Sequence, residues 1–180
     1  MNTAPFFKEL KQDLLANGWD NGKYGTALRI IFLELSFHTL FLYRVQVRLN
    51  RIPTVGATLR RIVGWVAGVI TSCEISPLSE LEGGVIVPHP KGIIIGKGCI
   101  IRSGVTIYQH VTIGTKSGHG ANEAFPIIEK GAKIYSGAVI VGGIRIGQNA
   151  VIGANSVVLK DIPAEKTAVG APARIINKIQ

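Results

Sequence analysis

The stretch IIEKGAKIYSGAVIVGGIRIGQNAVIGANSVVLK, residues 127–160, decides the fold, because Ile128, Ile134, Ile140, Ile146, Ile152 and Val158 recur every six residues. Neither a helix nor an alternating strand sustains a six-residue period. A parallel β-helix of hexapeptides does: each short strand turns one aliphatic side chain inward, and three hexads close one triangular coil. Upstream the same hexad runs through Ile75, Leu81 and Val87 and, after two extra residues, through Ile95, Ile101, Ile107 and Ile113. Ile-Gly steps at 95–96, 113–114, 146–147 and 152–153 suit the corners, where glycine tolerates positive φ.

Composition places the boundary of this repeat. Residues 1–73 hold 9 of the 12 aromatics and 6 of the 22 glycines. The expected organisation is a small α-helical region over 1–73, the β-helix over 74–162 with a long loop over 114–127, and a C-terminal tail over 163–180. In the first region Phe7, Leu10 and Leu14, then Leu28, Ile31, Phe32 and Leu35, follow the three- and four-residue helical spacing. A helix over 35–49 stops at or before Pro53, and 58–70 reads as another. The fold class is therefore mainly β, with three or four short helices in front.

A 47% apolar fraction and positive mean hydropathy exclude intrinsic disorder. Cys73 and Cys99 are too few and too far apart for a disulfide framework or zinc cage, which suits a reduced, cytoplasmic protein. No apolar run approaches the roughly 20 residues needed to cross a bilayer, and the start MNTAPFFKELKQDLL lacks the basic and apolar blocks of an export signal. The net charge is +9, and no acidic residue lies between Glu34 and Glu74, whereas Arg44, Arg48, Arg51, Arg60 and Arg61 do. Such a stretch can face a phosphorylated ligand, an anionic lipid surface or nucleic acid, although no aromatic stacking motif supports the last.

A regular solenoid is scaffold, so chemistry is expected where the hexad slips. Val87 to Ile95 spans eight residues and carries His89 between two prolines; Ile113 to Ile128 spans fifteen and carries His119 in a polar, glycine-rich loop ending in Phe125. With eighteen residues per coil, the corner after Val87 stacks on the corner before Ile75, which places Glu74 near His89. A carboxylate one coil from an imidazole can fix its tautomer and balance its charge, as a general base requires. His110 lies in a regular rung, where it either stacks on neighbours or lines the cleft. His89, His110 and His119 are spaced by 21 and 9, unlike the three-histidine zinc site of gamma-class carbonic anhydrases, so no metal is expected.

Several ordered segments carry a resemblance: Phe37-His38-Thr39-Leu40-Phe41-Leu42-Tyr43-Arg44, Glu74-Ile75-Ser76-Pro77, Pro88-His89, Val111-Thr112-Ile113-Gly114-Thr115, and Gly153-Ala154-Asn155-Ser156-Val157-Val158 through Val169-Gly170-Ala171-Pro172-Ala173-Arg174-Ile175. From about Trp19 to Lys178 the chain resembles the hexapeptide-repeat, left-handed β-helix acyltransferases of the serine acetyltransferase branch, closest in pattern to bacterial exopolysaccharide and colanic-acid O-acetyltransferases. The resemblance implies acetyl-CoA as co-substrate, bound along the groove between solenoids of a homotrimer, and His89 as the base that deprotonates the acceptor hydroxyl. Glu74 stands where serine acetyltransferases carry a supporting aspartate. Thr115, Ser136, Gly137, Ala154, Lys160 and Arg174, with Lys178, are the implied acetyl-CoA contacts, and His110, His119 and Phe125 the implied acceptor contacts.

Three departures from the serine enzymes shape the expected acceptor. Pro88-His89 replaces Asp-His, Ala124-Phe125-Pro126 replaces Arg-His-Pro at the loop end, and a further substrate aspartate falls near Asp20 or Asn21. A free amino acid would lack its counter-charges, so the expected reaction is O-acetylation of a sugar hydroxyl of a polysaccharide or its precursor. Serine O-acetylation is the alternative, and a silent solenoid used as a binding module is the reading of another class. A peripheral contact with an anionic membrane, where lipid-linked saccharides are assembled, goes with the first reading.

Overall fold

A computed structural model describes residues 6–19, 24–115 and 124–176. Four helices come first: α1 (Phe6–Ala16), α2 (Tyr24–Leu33), α3 (Leu35–Leu49) and α4 (Val55–Thr71). Fourteen short strands follow, β1 (Glu74–Ile75) to β14 (Arg174–Ile176).

The strands form three parallel faces, as the six-residue period requires. The first face stacks β1, β3 (Ile94–Ile95), β6 (Thr112–Gly114), β9 (Val139–Val141) and β12 (Val157–Val158). The second stacks β2 (Glu80–Leu81), β4 (Ile100–Ile101), β7 (Ile127–Ile128) and β10 (Arg145–Ile146). The third stacks β5 (Thr106–Ile107), β8 (Lys133–Ile134), β11 (Val151–Ile152) and β13 (Thr167–Val169). Register is set by the buried aliphatics themselves: on the first face Ile75, Ile95, Ile113, Ile140 and Val158 pair in one column. A slip of one residue would turn that column into water.

The core also has a second inward position, two residues before each hexad aliphatic. Cys73, Val85, Ile93, Cys99, Val105, Val111, Ala132, Ala138, Ile144 and Ala150 fill it, all buried. The two cysteines are thus core residues. Burial pushes the Cys99 thiol up to about 11 and raises that of Cys73 as well.

The segment expected as a tail, 163–180, carries structure: β13 continues the third face and β14 folds back antiparallel against it. At the other end, α1 and α3 are tied to the first coil by buried charge. Arg44 Nε donates to Asp13 Oδ2 at 2.6 Å and Nη2 to Oδ1 at 3.1 Å, while Nη1 and Nη2 donate to the Leu81 and Glu82 carbonyls. Asp13 Oδ1 also accepts the Gly84 N–H at 2.8 Å. Burial works against the Arg44 charge, but the hydrogen bonds and charge of Asp13, helped by Glu9, outweigh it.

Candidate active site

One edge of the prism, where the third face turns into the first, gathers the residues around the first insertion. Its corners stack by a backbone ladder: Gly92 N–H to Ser72 O at 2.9 Å, His110 N–H to Lys91 O at 2.8 Å, Gly137 N–H to Gln109 O at 3.0 Å and Asn155 N–H to Ser136 O at 2.8 Å. Each donor is left-handed, with φ of 63° at Gly92, 59° at His110, 69° at Gly137 and 55° at Asn155. Glycine is required at 92 for a further reason. A Cβ there would lie 2.5 Å from His110 Nδ1, so the imidazole rests over the turn that carries His89.

His89 itself is exposed on the extra residues of this edge, its carbonyl accepting the Lys91 N–H at 2.8 Å. The insertion pushes the chain outward while Gly92 closes the turn back onto Ser72. Glu74, exposed at the start of β1, pairs in register with Ile94. The imidazole and carboxylate therefore belong to neighbouring coils of one edge, but they are not ion-paired with each other. Such contacts often tighten only when substrate binds.

Ser136, Gly137 and Ala154 lie on the same edge as His89 and His110, one and two coils further along. The other expected contacts separate from them. Thr115 and Phe125 flank the long loop at the edge between the first and second faces, where the Phe125 ring lies over Gly98, and Lys160 follows β12 on that same edge. Arg174 opens β14 beside the third face. The reason is the length of the coil: residues six apart occupy successive edges, so proximity in the hexad pattern does not mean proximity in space. Phe125 therefore does not join His110 within one chain. His119, Lys178, Asp20 and Asn21 lie outside the described residues.

Two features escaped the sequence reading. Tyr108 and Tyr135 stack with centroids 5.0 Å apart and planes 6° apart, one residue before Gln109 and Ser136 of the ladder. Their 27-residue spacing, one coil plus the long insertion, was the available signal. The second is a cleft of about 430 Å³ between α3, α4 and the first coil, lined by Thr39, Gln46, Arg60, Arg61, Glu74 and Ser76 among others. Arg60 Nε is buried there without a hydrogen-bond partner. Glu74 thus faces a space that also offers guanidinium groups.

Known proteins resemble the chain in sequence and in fold. The family described as bacterial transferase hexapeptide (six repeats) matches residues 125–160, and the hexapeptide repeat of succinyl-transferase matches 82–109. Serine acetyltransferase of Bacillus pumilus is 32% identical over 171 residues, covering 95% of this chain and 77% of that protein. The chain belongs to the serine acetyltransferase family. Serine acetyltransferase of Buchnera aphidicola from Schizaphis graminum is 38% identical over 153 residues, and here the match spans 84% of this chain but 57% of the relative.

Solved structures of the family agree in fold. A serine acetyltransferase in complex with CoA superposes with a TM-score of 0.80 at 30% identity, covering 95% of this chain and 70% of that one. Soybean serine acetyltransferase complexed with serine gives 0.83 at 29% identity, with 95% and 69% covered. These relatives correct the expected branch: they are serine acetyltransferases, not exopolysaccharide O-acetyltransferases. Ala124-Phe125 at the loop end carries no charge, whereas the cleft that Glu74 faces is lined by the guanidinium groups of Arg60 and Arg61 from α4.

Proposed function

We propose that the protein is an acetyl-CoA-dependent O-acetyltransferase whose acceptor is serine. The observation that carries this reading is the stacked edge that joins His89, His110, Ser136, Gly137 and Ala154 beside Glu74, in a chain of this family. His89 removes the proton from the acceptor hydroxyl, the oxygen attacks the thioester carbonyl, and the CoA thiolate leaves, recovering that proton from the imidazolium. Glu74 balances the charge that appears on the ring. Backbone N–H groups along the edge stabilise the tetrahedral oxyanion, and Ser136, Gly137 and Ala154 line the path of the pantetheine arm. Thr115, Lys160 and Phe125, on another edge, reach the same site only if a second copy supplies them. A homotrimer with its sites between solenoids meets that condition.

Arg60 provides the positive charge for the serine carboxylate in this reading. CoA release should therefore be supported by L-serine, and Arg60→Gln should raise the KM for L-serine about tenfold, the size of one charged hydrogen bond, while leaving that for acetyl-CoA unchanged. A second reading, transfer to a sugar hydroxyl, rests on Ala124-Phe125 at the loop end, which offers a ring and no charge. CoA release with oligosaccharide acceptors and none with L-serine would replace the first reading with the second.

A further inference from the structure

Helix α4 is built inside out. Its inner side, against α3, is made of small residues: Gly56, Ala67 and Thr71 are buried and Gly64 half-buried. The approach is so close that a Cβ on Gly64 would stand 3.0 Å from Gln46 Oε1, and one on Gly56 would meet the Leu49 carbonyl. Its outer side carries Val55, Leu59, Ile62, Trp65, Val69 and Ile70, all exposed, with Trp65 at 71% and Val69 at 64%. At 100° per residue these six fall within one continuous sector, and Arg61 stands one turn before Trp65 at its margin. Exposed Arg51 and Ile52 lead into the helix. A solvated helix has the opposite pattern, large apolar residues inward and polar residues outward.

We propose that this face docks on an anionic lipid surface, with α4 lying in the plane of the interface. Three observations favour that occupant. The apolar sector includes a tryptophan, the side chain that prefers the boundary between headgroups and acyl chains. The charged residues beside it in the sequence are arginines, since no acidic residue occurs between Glu34 and Glu74 in a chain of net charge +9; anionic headgroups complement that, each arginine contributing about fivefold in partitioning. And α4 has 17 residues, no described helix being long and apolar enough to cross a membrane, so it rests on the surface. A second copy meeting this face about a two-fold axis suits it less well, because it would bring two arginine-flanked, acid-free surfaces together with no carboxylate to pair them. The proposal is independent of the acceptor.

The test is co-sedimentation of the full chain with phosphatidylcholine vesicles containing or lacking phosphatidylglycerol, at low and high salt. Expected is partition onto the phosphatidylglycerol vesicles, weakened by salt, with a blue shift of tryptophan emission that Trp65→Phe abolishes. Ile62→Gln with Val69→Gln should reduce partition at least about tenfold and Arg61→Gln about fivefold, while the circular dichroism spectrum stays that of the parent. No partition at low salt overturns the proposal. So does equal partition by the apolar variants, or light scattering showing parent assemblies that those variants dissolve, which would assign the face to another copy.

Discussion

The solenoid and the helical region bury themselves by opposite means. In the solenoid every coil repeats the same contact, and Ile113, Ile128, Ile134, Ile140, Ile146 and Ile152, two from the column of each face, are fully buried with almost no polar group beside them. The helices have no such column. They dock through a few directional contacts, the buried Asp13–Arg44 ion pair and the Tyr43 hydroxyl, which donates to the Ser79 carbonyl and accepts the Leu81 N–H, with Leu40 and Tyr43 reaching the core, and leave much of their large apolar surface outside. Non-directional burial repeated thirteen times holds a fold without any single contact being decisive. A region held by a few directional contacts depends on each of them.

The difference can be broken experimentally. Arg44→Leu should cost about 3–5 kcal/mol, because it strands the Asp13 carboxylate beside the Gly84 N–H in a buried site. Limited proteolysis should then cut α1 and α3 while the solenoid keeps its melting temperature. A single cooperative loss of both would show that the regions are not separate in energy. Ile140→Ala, in the middle of the column, should cost about 2–5 kcal/mol by leaving a cavity that coils on both sides hold open; urea denaturation would measure it, and the solenoid rather than the helices should lose stability. The smallest effect concerns pH. The thiol of Cys99 titrates at about 11 in the fold against 9.0 unfolded, so the unfolded state loses its proton first and stability declines as pH rises from 9 towards 11. Cys99→Ala should flatten that decline in urea midpoints taken across the range, with Cys73 and Tyr43, whose pKa values burial also raises, contributing to what remains.

Legibility followed the same division. The six-residue period exposed the β-helix because one aliphatic recurs at every hexad. The second inward position was hidden, since Cys99, Ala132, Ile144 and Ser156 share burial but no chemistry. Counting eighteen residues per coil was enough to bring the His89 turn over the Ser72–Cys73 corner beside Glu74. It was not enough for Phe125 and Lys160, where a long insertion and the three-edge geometry put residues of similar pattern on another side. In α4 the apolar spacing was readable, but not its direction: only the close approach to α3 through Gly56 and Gly64 shows that the large side chains point away. The relatives are serine acetyltransferases, which favours the alternative acceptor over the sugar, and the loop could not signal this because a missing charge there says nothing about arginines that a helix brings from elsewhere.

The central claim is that His89 is the base of an acetyl transfer, and steady-state kinetics of His89→Ala tests it most directly. With L-serine as acceptor, kcat should fall about a thousandfold or more while the affinity for acetyl-CoA, measured by calorimetry, stays that of the parent. A variant that keeps kcat within a few-fold would contradict the account.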